Sequence, residues 1–415
     1  MTPTPASERA EILDALRGFA LLGIIVSHVA DFSGWNFTIH AGRSAAEHAD
    51  AVAALVQDFL IRGKFYSLFS LLFGVGYAVQ LESASRRNAD FARHFTRRLS
   101  VLLVIGLAHA ALWYGDILKD YALIGLALIP LRRFQASAFA WAAGLAFALR
   151  LVWPSLAWWL FGALGPMGAG AHPDAGFAWY AHVFAGADAR ASFFANLALV
   201  KLKALQLIYD GTAISILSMF LLGALLGRLR LHRALSGRWL ARTFWICAPL
   251  GVIGSAVLAP LHAATPDFPP TPMWVLENSI YAVATPAMAI AYASGFAWLW
   301  SRGGAGAMSL LAPAGRMALT TYVSQTLVLM ALFYGVGFGL YGRLGLIEGA
   351  LAAGAIFALQ CVVAALWLRW FQFGPIEWIW RRLTYGAPIP LRRGAPALAQ
   401  GAPARGGHAS EFERG

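Results

Sequence analysis

Charge is what this sequence has least of. Asp, Glu, Lys and Arg make up 13% of its 415 residues, against 59% hydrophobic residues. A soluble domain carries about 25% charged residues. A chain this long and this poor in charge cannot hide its apolar surface from water, which excludes a water-soluble globular fold and leaves lipid as the solvent. Cysteine is nearly absent too. Cys247 and Cys361 lie in separate apolar stretches with no CxxC pair, which argues against a disulfide framework or a structural metal site. Strict alternation of apolar and polar residues is missing, which excludes a transmembrane β-barrel.

What is present is a series of long apolar runs. A spanning helix needs about 20 mostly apolar residues. Runs of that kind occupy 12–32, 65–82, 99–115, 117–131, 137–160, 209–227, 239–262, 277–300, 316–340 and 347–370. They predict an all-α protein, a polytopic transmembrane helix bundle of about ten spans. The first run passes into Asp31, Phe32 and Trp35 with no small-residue cleavage site, so it reads as a retained helix. Residues 1–390 read as a single transmembrane domain. Within it, 161–208 is the only long loop, expected on the extracytoplasmic side. The loop opens with GPMGAGAHPDAG, which predicts non-helical backbone, and closes with an amphipathic stretch from Phe193 to Ile208 that suits the membrane surface. The tail 391–415, rich in Gly, Ala, Pro and Arg, reads as disordered.

The net charge of +12 invites a nucleic-acid partner. The arginines instead sit in short clusters between apolar runs, as topological anchors do. With a cytoplasmic N-terminus, every large cluster falls on one side: Arg86 to Arg98, Arg132 and Arg133, Arg228 to Arg242, Arg302 and Arg316, and Arg369 onward. Both termini are then cytoplasmic in a bacterial inner membrane, and no nucleic-acid partner is expected.

Ionisable groups inside spans are costly and point to function. The first run reads LDALRGFALLGIIVSHVADF. Asp14 and Arg17 are three apart and pair on one helix face. Arg17 and His28 are eleven apart, which returns to within about 20° of the same face and separates them by roughly 16 Å. The plain alternative makes Arg17 a snorkelling anchor and His28 an interfacial histidine. The third run, HAALWYGDILKDYALIG, places His109 and Asp116 on one face with Trp113 between them. That pattern suits a general base held in one tautomer, or a buried histidine beside a helix-capping Asp. Ser67, Ser70 and Gln80 in the second run read as packing residues. The ninth run opens GRMALTTYVSQT, so Thr320, Tyr322 and Gln325 must face protein or water. Glu277 and Asn278 read as a solvated cap at the outer interface. The segment GPIEWIWRRLTYG reads as a short interfacial helix with no binding role.

Together LDALRGFALLGI, FSLFSLLFGVG, HAALWYGDILKDYALIG, GRMALTTYVSQT and GPIEWIWRRLTYG, in this order, resemble the YeiB-like family of bacterial membrane proteins over about 12–393. That family is grouped at a distance with transmembrane acyltransferases, the heparan-glucosaminide N-acetyltransferase-like and acyltransferase-3 proteins. The resemblance implies movement of an acyl group from a cytoplasmic acyl-CoA to a sugar, glycan or lipid at the outer side. The acyltransferase-3 pattern of Arg, ten residues, then His is matched by Arg17 and His28. On this reading His28, His109 and Asp116 are the catalytic candidates. Asp14, Arg17, Thr320, Tyr322 and Gln325 are the candidates for substrate binding. Acyl-CoA is a co-substrate, with no bound cofactor or metal, and membrane lipid is the standing partner. A transporter or flippase of a small amphiphile, and a non-catalytic membrane partner or sensor, are the competing expectations.

Overall fold

The structure is a computed structural model that describes residues 6–38, 45–162, 173–230, 236–265, 270–386 and 388–393. The expected disordered tail lies almost wholly outside the described residues, as does most of the GPMGAGAHPDAG run. Among the described residues the chain is all-helical, with one isolated antiparallel bridge between Phe371 and Arg392. The main elements are α1 (Ala6–Phe32), α2 (Trp35–Thr38), α3 (Ala45–Leu60), α4 (Lys64–Arg86), α5 (Phe91–Leu112), α6 (Leu118–Gly125), α7 (Ala136–Gly162), α8 (Pro173–Ala185), α9 (Ala189–Tyr209) and α10 (Thr212–Arg228). Then follow α11 (Gly237–Ala264), α12 (Pro272–Leu299), α13 (Ala305–Met308), α14 (Ala312–Arg316), α15 (Ala318–Phe333), α16 (Leu346–Trp370) and α17 (Pro375–Tyr385).

Among the described residues eight helical segments are long and apolar enough to cross a membrane, and α10 and α15 are shorter apolar helices. Their starts are written in side chains. The Asp90 carboxylate accepts from Arg93 N ahead of α5, Asp188 from Arg190 N and Ala191 N ahead of α9, and Ser236 from Trp239 N ahead of α11. Each fills an orphan donor of a first helical turn. Large apolar side chains on α7, α11 and α16, among them Trp141, Trp245 and Leu351, point away from the core, as lipid-facing surfaces do.

Three expectations change. The stretch 117–131 is not one helix: α6 ends at Gly125 and two short 3-10 turns carry the chain to Arg133. Inside 161–208 the chain forms two helices. The last four residues of GPMGAGAHPDAG open α8, with Pro173 in the first turn, where its missing N–H costs nothing. From Ala189, α9 runs 21 residues and is apolar enough to span. Its Ser192, Ala195, Asn196 and Leu199 pack inward, and Asn196 donates to the Ala110 carbonyl of α5 at 2.8 Å. Glu277 is no cap. Thr271 caps α12, and Glu277 lies buried in the helix, 2.8 Å from His262 Nδ1 and 3.7 Å from Arg62.

Close helix packing rests on small residues. A Cβ at Gly74 would lie 2.1 Å from the Phe220 carbonyl oxygen, and one at Gly223 2.0 Å from that of Leu71, so α4 and α10 touch backbone to backbone. Gly18 and Gly315 do the same for α1 against the α14 region. One end of the bundle gathers basic chain ends: Glu82 pairs with Arg86 and Arg230, and Arg228 donates to the Phe134 carbonyl.

Candidate functional site

α1, α4, α5, α6, α15 and α17 surround a cavity of about 370 Å³. Arg17 and His28, the two ends of the α1 stripe, both line it. Toward Arg17 the wall also carries Arg98, Arg316, Arg381, Glu377 and Trp380. Four guanidinium groups on one wall repel one another and favour an anionic guest. The carboxylates nearby are already engaged. Asp14 pairs with Arg17 at 2.5 Å. Glu377 accepts from Leu319 N at 2.6 Å, Thr320 N at 2.9 Å and Thr320 Oγ1 at 2.5 Å. Burial pushes the Glu377 carboxyl above its usual range, and those donors pull it part of the way back. Glu377 thereby caps α15 from 57 residues downstream of Thr320, and it fixes α17 across the basic mouth. Trp380 completes the closure: the Arg98 guanidinium lies 3.7 Å over its ring, and its indole donates to the Arg98 carbonyl at 2.8 Å.

The middle of the cavity is apolar, with Leu21, Ile24, Phe69, Phe73 and Leu102 on its walls. At the far end His28 meets Ser27, Gly115, Ile117 and Tyr322. The His28 ring lies 4.3 Å from that of Trp113 and 6.0 Å from that of Tyr322. Trp113 is buried, stacked on Phe32 at 4.9 Å, and its indole N–H has no hydrogen-bond partner among the described residues. Gly115 is required there, because a Cβ would lie 2.3 Å from the folded-back Trp113 ring.

His109 stands behind this wall and does not line the cavity. Its Nδ1 is 2.7 Å from Asp116 Oδ1 and its Nε2 is 2.9 Å from Thr326 Oγ1. The carboxylate can only accept, so the proton of neutral His109 sits on Nδ1 and the Thr326 hydroxyl donates to Nε2. Asp116 Oδ2 also accepts from Lys119 N at 2.9 Å, which ties the His109 pair to the start of α6. The His109 ring packs 5.1 Å from Tyr322, so the two histidines flank one tyrosine.

The structure therefore brings Arg17, His28 and Tyr322 onto one cavity. Asp14 stands one step back, through Arg17. Thr320 is engaged by Glu377 and also accepts from Ile376 N at 3.1 Å. Gln325 is buried one turn along α15 from Tyr322 and does not line the cavity; its amide donates to Gln360 Oε1 at 3.2 Å. Sequence reading did not pick out Arg98, Arg316, Arg381, Glu377 or Trp380. For Glu377, Trp380 and Arg381 the signal was the Trp-rich, Arg-rich segment before residue 390, which looked interfacial and turns out to wall the cavity; Arg98 and Arg316 read only as topological anchors.

Comparison with known proteins decides the family. The chain is 30% identical over 421 residues to Uncharacterized protein YxaH of Bacillus subtilis, covering 95% of this chain and 98% of that one. It is also 30% identical over 420 residues to Uncharacterized protein YeiB of Escherichia coli, covering 95% and 99%. The chain belongs to the YeiB-like family. A family model described as Protein of unknown function (DUF418) matches residues 226–387. In this YeiB-like chain that stretch holds α11 to α17, and so Tyr322 with Arg316 and Arg381 of the basic mouth, but not Arg17, Arg98 or His28.

Proposed function

We propose that this YeiB-like protein is a membrane-embedded acyltransferase, moving an acyl group from a cytoplasmic acyl-CoA to a sugar, glycan or lipid hydroxyl or amine at the outer side. One observation carries the reading: a single cavity joins a four-arginine mouth, an apolar middle and an imidazole that forms no hydrogen bond within the described protein. The end that gathers Glu82, Arg86, Arg228 and Arg230 is then the cytoplasmic one. α10, α15 and the α6 stretch continued to Arg133 complete a ten-span bundle in the inner membrane, with α9 along the outer surface and both termini cytoplasmic. The arginines hold donor phosphates, and the apolar walls take the pantetheine arm and acyl chain.

In the transfer the acceptor oxygen or nitrogen attacks the thioester carbonyl carbon. His28 takes the acceptor's proton, the C–S bond breaks, and the CoA thiolate is protonated in turn. Trp113, its ring 4.3 Å from that of His28, holds the imidazole in place. His109 acts through Tyr322 as a positioning residue.

The same cavity also suits a transporter of a small amphiphile, and one experiment separates the two. Detergent-purified protein is given acetyl-CoA labelled in its acyl group together with membrane glycans. Label passes to the glycan with wild type and falls by about a hundredfold or more with His28→Ala. Binding of CoA weakens in Arg98→Ala. An absence of transfer and of CoA binding, across several acyl lengths, overturns the enzyme reading in favour of transport.

A further inference from the structure

Arg150 sits mid-way along α7 and is 2% exposed. Its Nε donates to Ser215 Oγ at 2.8 Å, while Nη1 has no partner. Among the described residues no carboxylate lies within 4.0 Å of it. Asp210, in the same neighbourhood, accepts from Thr212 N at 2.8 Å. A buried cation left this way is expensive unless something completes it. The Arg150 guanidinium lies 5.9 Å from the Tyr281 ring centroid. Tyr281 in turn shares a hydrogen bond with Tyr66, hydroxyl to hydroxyl at 3.2 Å. One such bond uses one proton, so the other hydroxyl proton is free to be donated elsewhere.

A second orphan stands close by. Thr285 is buried, one turn along α12 from Tyr281, and its hydroxyl has no partner among the described residues. Gly63 packs against both residues: a Cβ there would lie 2.0 Å from the Tyr281 hydroxyl oxygen and 2.9 Å from Thr285 Cγ2. Gly63 and Tyr66 also line the large cavity, at the end away from the arginine mouth. Lys64, 1% exposed, adds a further buried cation that among the described residues donates only to the Asp58 carbonyl, at 2.5 Å.

We propose that Arg150, Tyr66, Tyr281 and Thr285 form a second binding site, for a phosphate group entering from this end of the cavity. The donor set selects the ligand. An unpaired guanidinium N–H group and free hydroxyl protons all seek acceptors, and a phosphate offers several on one centre. No acyl chemistry is required, so the site stands or falls apart from the transferase reading. The phosphate arrives either free or as a lipid head group.

The test is thermal unfolding of the full detergent-purified chain with inorganic phosphate, and of the chain in nanodiscs of phosphatidylglycerol or phosphatidylcholine. A ligand that binds the native state raises its melting temperature. Stabilisation by inorganic phosphate supports the site with a free ligand. Stabilisation only by phosphatidylglycerol supports it with a lipid. Arg150→Gln is expected to weaken the response by about tenfold or more. Thr285→Val removes the orphan hydroxyl at nearly constant shape. It is expected to fold at least as well without phosphate and to bind phosphate several-fold more weakly, so it decides the matter if Arg150→Gln does not fold. A wild type indifferent to both phosphate sources, or a Thr285→Val protein that responds as wild type does, overturns the proposal.

Discussion

His109 has both ring nitrogens occupied and, among the described residues, His28 has neither, although both rings pack against Tyr322. The two residues should therefore fail differently when removed. His109→Ala strands a buried carboxylate and a buried hydroxyl, and is expected to cost about 3 kcal/mol or more. His28→Ala loses mainly a ring contact with Trp113, and is expected to cost about 1 kcal/mol. Thermal melts in detergent separate them: a deep loss for His109→Ala and a small one for His28→Ala. A His28→Ala protein that melts far below His109→Ala would make His28 the structural residue. The α1 stripe was legible in sequence because eleven helical steps return to the same face whatever surrounds the helix. The His109–Asp116 pair was legible for the same reason, since seven steps is about two turns. That Thr326 fills the remaining nitrogen was not, because Thr326 lies 217 residues from His109 in the chain.

Between elements, backbone contact sets the tolerance. Gly74→Ala or Gly223→Ala would drive a methyl group into a carbonyl of the opposing helix, and α4 and α10 would have to separate. A cost of about 1–3 kcal/mol is expected. Gly144→Ala meets nothing within 4 Å and should be neutral or slightly stabilising. Unfolding of the three variants side by side checks this, and equal behaviour would remove the packing argument. The α17 closure makes a second prediction at this scale. Glu377→Ala empties the cap of α15 and should cost about 1–2 kcal/mol. Glu377→Gln keeps an acceptor for Leu319 N and Thr320 N and should cost less. The raised folded pKa also gives a sign. The folded state holds that proton more tightly than the unfolded state, so the carboxyl's contribution to stability is fully present below its unfolded pKa and is lost as pH rises through the folded one. In Glu377→Gln this pH dependence should disappear from the melting profile. Long helices such as α1, α7 and α16 were legible because hydropathy alone marks them. The contact of α9 with α5 was not, because Asn196 meets the Ala110 carbonyl 86 residues away in the chain.

For the whole molecule, the testable property is sidedness. With Cys247 and Cys361 replaced by alanine, single cysteines at Arg302 and Arg343 report the two ends of the bundle, since both positions are exposed. A membrane-impermeant thiol reagent applied to spheroplasts should label Arg343→Cys and leave Arg302→Cys until the membrane is opened. The reverse pattern would invert the proposed orientation and move the arginine mouth to the outside. The basic mouth itself was illegible in sequence. Arg98, Arg316 and Arg381 belong to three distant segments, and each alone looks like an ordinary topological anchor.

The cap of α15 is supplied by Glu377, beyond the whole of α16, so the helix that carries Tyr322 receives its first-turn partner late in synthesis. Trp380 and Arg381, which shut the basic mouth, follow it from the ribosome. A nascent chain thus inserts its spans before the inner wall of its cavity exists, and a chain terminated early carries His28 beside an open mouth. Emergence of Trp380 and Arg381 is in this sense the act that seals the site.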